Sequence, residues 1–158
     1  MRRIIIQDTR EKVGKKGHIE GWFKDNGIPV VRRKCDYGDY MLYGKEYVSV
    51  DIKQNVMEIV GNITKQHERF RRELEGAKIH GIKLYILIEE PFSNVFALKY
   101  WKSPIWKRGK NKGKPLTQMK GENIMKILLT MQERYGCTFL FCRKEDSAKK
   151  ILELLEKE

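Results

Sequence analysis

Gly38-Asp39-Tyr40 is followed, after a turn, by Val48-Ser49-Val50-Asp51-Ile52-Lys53. Alternate side chains of a strand share a face, so Val48, Val50 and Ile52 are expected to enter a core while Ser49, Asp51 and Lys53 line the other side. With Gly44-Lys45-Glu46 as a three-residue hairpin loop, antiparallel pairing sets Asp39 opposite Asp51, their Cβ atoms roughly 5 Å apart. Two carboxylates so close repel each other unless a cation lies between them, and hard oxygen ligands favour Mg²⁺ or Mn²⁺. A lysine beside that ion completes a set of groups for phosphodiester hydrolysis. The ion polarises a phosphate oxygen and lowers the pKa of a water, while the ammonium orients the water or stabilises charge developing on the phosphate. The competing reading is a turn aspartate and an ordinary solvated Asp-x-Lys pair on an exposed strand face. The triplet and the hairpin alone leave both open.

Further motifs flank this one in order. Ile4-Ile5-Ile6-Gln7-Asp8-Thr9-Arg10-Glu11 precedes it, and a helix, Arg69-Phe70-Arg71-Arg72-Glu73-Leu74 and the strand Leu84-Tyr85-Ile86-Leu87-Ile88-Glu89 follow. Together they resemble the nuclease domain of XPF-type (ERCC4-domain) endonucleases in the PD-(D/E)xK group, and are most similar to its small, phage-type members. The resemblance is strongest over residues 1–90. It implies a restriction-endonuclease-like α/β core and a Mg²⁺- or Mn²⁺-dependent DNA endonuclease, structure-specific for branched DNA. By the same resemblance Asp39 and Asp51 are metal ligands, Lys53 is the catalytic lysine, and Asp8 is a further catalytic and metal-binding acid at the edge of the site. Arg10 and Glu11 support them. Two departures stand out. The family has Glu-Arg-Lys where this chain has Asp51-Ile52-Lys53, and its Asp four residues after the lysine is replaced by Met57, with Glu58 as an unaligned substitute. They keep open an alternative, a catalytically weak or inactive nucleic-acid-binding protein that retains the nuclease fold.

At 158 residues the chain has the length of a single domain, taken as 1–158, with one core. Its net charge of +12 suits a polyanion, because Lys and Arg that neutralise phosphates release counterions. Charge by itself does not separate DNA from RNA or an acidic membrane. Cys35, Cys137 and Cys142 form no Cys-x-x-Cys pair, and His18, His67 and His80 are dispersed, which argues against both a disulfide framework and a zinc site. No apolar run approaches the length of a membrane span, and Ile4–Ile6 is too short for a signal-peptide core. A reducing, cytoplasmic setting without a signal peptide is the expectation.

Apolar runs and helical stripes predict strands at Ile4–Ile6, Val30–Val31, Leu84–Ile88 and Thr138–Phe141. Helices are predicted around Ile19 to Phe23, Val56 to Ile63, Phe70 to Ala77, Ile124 to Met131 and Ala148 to Leu155. This order argues for a mixed β-sheet flanked by α-helices, with an antiparallel catalytic hairpin and parallel later strands. Residues 93–120 form a basic loop ahead of a helix-strand-helix over 121–158. Between Pro91 and Gly121 lie eight basic residues and no acidic one, with Tyr100, Trp101 and Trp106 interleaved. Lys107, Arg108, Lys110 and Lys112 are read as phosphate contacts; an exposed Trp stacked on an unpaired base is the functional reading of the aromatic residues, and packing beneath the loop is the expectation for the tryptophans. Arg69, at a position commonly basic in the resembling family, and Arg72 are further candidates for the nucleic-acid surface, although a Glu68–Arg72 pair would serve the helix alone. Nothing in these residues distinguishes a monomer from a homodimer or a chain working with a partner subunit.

Overall fold

The computed structural model describes residues 3–10 and 16–157. Glu11, expected to support the site, lies outside the described residues. The elements run β1 (Ile5–Gln7), α1 (Gly17–Asp25), β2 (Val30–Arg32), β3 (Tyr40–Leu42), β4 (Lys45–Lys53), α2 (Val56–Ile63), α3 (His67–Ile79), β5 (Lys83–Ile88), α4 (Gly121–Tyr135), β6 (Thr138–Phe141) and α5 (Ser147–Glu156). A 3-10 helix over Val95–Tyr100 interrupts the long connection between β5 and α4. Glycines in left-handed conformation follow α1, α3 and α4 at Gly27, Gly81 and Gly136, where the helical stripes stop.

The strands form one six-stranded mixed sheet in the order β2-β1-β3-β4-β5-β6. β1 runs parallel to β2 and antiparallel to β3, β3 and β4 are antiparallel, and β4, β5 and β6 are mutually parallel. β1, β4 and β5 therefore end, and β3 begins, at the same edge of the sheet. Val48, Val50 and Ile52 pack on one face with Ile19 and Phe23 of α1 and Ile151 and Leu155 of α5. On the other face Leu84, Ile86 and Ile88 pack with Phe70 and Leu74 of α3 and Ile124 and Leu128 of α4. Ser49, Asp51 and Lys53 pair with Leu84, Ile86 and Ile88 across the ladder and share that second face. All three are buried, so the solvated strand face that was the competing expectation does not exist here. Two parallel neighbours' worth of helices cover what a lone hairpin would leave in water.

The hairpin turn differs from the expected one. Leu42 pairs directly with Lys45, which leaves Tyr43-Gly44 as a two-residue turn with Gly44 at φ +84, in place of the Gly44-Lys45-Glu46 loop. An irregularity between Leu42 and Tyr40 then shifts the register, and Tyr40 pairs with Val50. The shorter turn and the bulge compensate, and Asp39 still arrives beside the end of β4.

Gly38 is the residue that makes this arrival sterically feasible. Its φ of +77 lies in the left-handed region, and a Cβ there would overlap the hydroxyl of buried Ser49. That hydroxyl donates to Tyr37 C=O at 2.6 Å and holds the turn against β4. Gly38→Ala should therefore cost roughly 2–3 kcal/mol, from left-handed strain plus the displaced hydrogen bond. Urea denaturation of the variant measures this, and a loss below about 0.5 kcal/mol would show that the turn relaxes freely.

Candidate active site

The end of β4 and the start of β3 meet in a cavity of about 270 Å³ lined by Asp8, Arg10, Lys16, Gly38, Asp39, Asp51, Ile52, Lys53, Gln54, Glu58, Arg69 and Glu73. Backbone hydrogen bonds fix its acidic floor. Asp39 N–H donates to Val50 C=O at 2.9 Å, and Asp8 N–H donates to Asp39 C=O at 2.8 Å. The Asp39 carboxylate accepts from Ile52 N–H at 2.8 Å, which clamps it to the strand that carries Asp51. Lys53 Nζ forms an ion pair with Asp51 Oδ2 at 3.1 Å, and among the described residues no other group donates to this buried oxygen.

The electrostatics follow from crowding acids out of water. Burial, and then the adjacent Asp51 charge, hold the Asp39 carboxyl well above its ordinary range. Burial and Asp51 likewise push Glu73 up to about 7. Burial works against the Lys53 ammonium, but the charges of Asp51, Glu73 and Glu58 outweigh it and keep the lysine protonated. Its Nζ also lies 5.7 Å from the centre of the Phe70 ring.

A buried carboxylate beside a second carboxylate that its charge destabilises is the environment a divalent cation relieves. Among the described residues no three His, Cys, Asp or Glu side chains converge as a closed metal cage. Mg²⁺ keeps several waters and is held by one or two carboxylates together with substrate phosphate oxygens. Asp39 and Asp51 are the residues that fit it.

Asp8 lines the same cavity as these two acids. Its Oδ1 accepts from Cys35 N–H at 2.9 Å and its Oδ2 from Arg10 Nε at 2.5 Å, so both oxygens are drawn toward protein donors. Arg10 donates in turn to Cys35 C=O at 2.8 Å. The pair braces a guanidinium at the cavity rim. Glu58, read from sequence as a substitute acid, is occupied at the start of α2. Its carboxylate accepts from Gln54 N–H at 2.7 Å while its own N–H donates to Asn55 Oδ1 at 2.9 Å, so Asn55 caps the helix and Glu58 holds the residue before the cap. Met57 packs against the core, while Glu58 lines the cavity and its charge reaches Lys53.

α3 supplies two groups to the cavity, Arg69 and Glu73, which share a helix face at four-residue spacing. Glu73 was not among the residues singled out from sequence. Its only signal was adjacency to the apolar position Leu74, and only the docking of α3 on the sheet turns it toward Lys53. Lys16, buried at the start of α1, was missed too, and its charge favours ionised Asp39. Arg72 is exposed and does not line the cavity. The expected Glu68–Arg72 pair is replaced by Arg71, which bridges Glu68 at 2.9 Å and Glu75 at 2.8 Å. Lys107, Arg108, Lys110 and Lys112 are exposed on the connection between β5 and α4. Trp101 is buried as expected, but Trp106 is 46 % exposed, which overturns the expectation that both tryptophans pack.

The sequence matches the ERCC4 domain over residues 7–155. The chain belongs to the ERCC4 domain family. XPF from Aeropyrum pernix shares the fold with a TM-score of 0.64 at 16% sequence identity, over 96% of this chain and 63% of that one. The same protein in complex with DNA gives a TM-score of 0.62 at 17% identity, over 98% of this chain and 64% of that one. This ERCC4 domain thus spans less than two thirds of the XPF chains it resembles. No curated protein matches it in sequence. No helix among the described residues is long and apolar enough to cross a membrane.

Proposed function

We propose that this ERCC4 domain is a Mg²⁺- or Mn²⁺-dependent DNA endonuclease that hydrolyses phosphodiester bonds, with a preference for branched structures. The observation that carries the reading is the buried Asp51 carboxylate, set beside the destabilised Asp39 carboxyl and paired at 3.1 Å with the Lys53 ammonium. A cation held by Asp39 and Asp51 would supply polarisation of the scissile phosphate and activation of the attacking water. Lys53, kept protonated by its acidic neighbours, serves as a fixed positive charge for the developing phosphate dianion and as a donor to the incoming water, not as a base. Arg10, braced by Asp8 and Cys35, presents a guanidinium suited to bidentate contact with a phosphate. Arg69 adds a second cation at the rim, and Glu73 holds the lysine's charge state. The net charge of +12 supplies sequence-independent attraction to the DNA backbone.

The test is a cleavage panel across duplex, flap, fork and four-way junction DNA, with Mg²⁺, with Mn²⁺ and with chelator. Cutting is expected only with metal, and faster on the branched forms than on blunt duplex. Salt-sensitive binding with no cutting of any form would support the inactive alternative and sink this reading.

A further inference from the structure

We infer that the connection between β5 and α4 is a stacking platform for unpaired nucleotides of a DNA substrate, with Trp106 and Tyr100 as the aromatic surfaces. This deepens the nuclease reading and rests on it for the choice of DNA as ligand. The connection leaves β5 at the edge of the sheet where the candidate site lies. It returns to the same edge, because α4 must run back antiparallel to deliver β6 parallel to β5. Val95, Leu98 and Trp101 anchor it in the core on the face that carries Asp51 and Lys53. Edge and face both match those of the carboxylates.

The tip is ordered, contrary to the mobile loop its composition suggests. Ile105 bridges Pro115, Trp106 N–H donates to Lys114 C=O at 2.9 Å, and Gly113 N–H donates back to Trp106 C=O at 2.8 Å. These bonds hold Trp106 in place at the surface. At the base of the tip a groove of about 520 Å³ is lined by Lys99, Tyr100, Lys102 and Lys120, and also by Glu122, whose charge Lys126 meets at 3.4 Å. Tyr100 is 74 % exposed, and Lys99 Nζ sits 5.0 Å from its ring centre. Gly121 closes the base, since a side chain there would run into the Leu98 and Trp101 carbonyls.

Charge selects the occupant of these rings. Eight basic residues and no acidic one lie between Pro91 and Gly121, which fits a polyanion and repels a basic protein surface. Duplex DNA hides its base faces, so rings of this kind gain only from unpaired bases, at about 1–3 kcal/mol per stacked base. Lys107 and Arg108, next to Trp106, are placed to meet the flanking phosphates.

Fluorescence anisotropy with labelled oligothymidylate and with blunt duplex of equal length, in chelator so that nothing is cut, tests this on the whole chain. Trp106→Ala is expected to weaken oligothymidylate binding by about 5- to 100-fold and duplex binding by less than about twofold, with Trp106→Phe restoring most of the loss. Tyr100→Ala should lower oligothymidylate binding selectively as well. Equal losses on both DNAs, no loss on either, or no rescue by phenylalanine would overturn the platform; the last two would leave the patch to a protein partner. Because the readout needs neither metal nor turnover, it stands or falls separately from the cleavage panel.

Discussion

Asp51→Asn should lower metal-dependent DNA cleavage by about a thousandfold or more while DNA affinity in chelator stays within about twofold. The substitution keeps the shape of the side chain and removes the charge that faces the Asp39 carboxyl, so a cation loses half of its protein ligands. The change also removes the partner of the buried Lys53 ammonium, so stability is read alongside cleavage by thermal melting. Retained DNA affinity together with a cooperative melt separates loss of the charge from simple unfolding. Cleavage by the variant within tenfold of the parent would exclude Asp51 from the chemistry.

The second large effect couples pH, metal and stability. Glu73 titrates at about 7 in the folded chain against an ordinary 4.5, and Asp39 is shifted in the same direction. The folded state therefore holds protons that the unfolded state has already released. Their contribution is complete below the ordinary carboxylate range and is lost as pH rises through the folded values. For Glu73 alone the shift is worth on the order of 3 kcal/mol. In chelator, Tm should fall by several degrees between about pH 5.5 and about pH 8. Millimolar Mg²⁺ should restore more stability at the higher pH, since only ionised carboxylates bind it. Thermal melts at both pH values, with and without Mg²⁺, measure the coupling. Glu73→Gln should flatten the chelator curve, and an unchanged slope in that variant would mean that Glu73 does not titrate as a buried group.

Much of this was legible from residues alone. The runs at Leu84–Ile88 and Thr138–Phe141 and the stripe from Val56 to Ile63 allow one secondary structure each, and the parallel order of β4, β5 and β6 follows from the helices between them. Asp39, Asp51 and Lys53 converge because the period of a strand is fixed and Gly38 can turn where no other residue fits. What escaped depends on tertiary packing. A register shift between Tyr40 and Leu42 leaves no mark on the pattern of apolar residues, so the hairpin was read with the wrong loop. Glu73 enters the site only through the docking of α3, and both Asp8 oxygens are met by protein donors, one of them Cys35 N–H from 27 residues away in sequence. Trp106 looks like core material by type, and only the closed hairpin around it shows that it faces solvent.

β4 lies in the interior of the sheet, with β3 on one side and β5 on the other, and it is covered on both faces along the segment that bears Asp51 and Lys53. Segments so placed exchange their amide protons only when the entire molecule opens, unlike termini and rim loops that fray independently. The two carboxylates are thus welded to the most cooperative part of the chain. A population of these molecules divides into those with an intact carboxylate pair and those with no fold at all, and partial damage at the periphery leaves the candidate site in register.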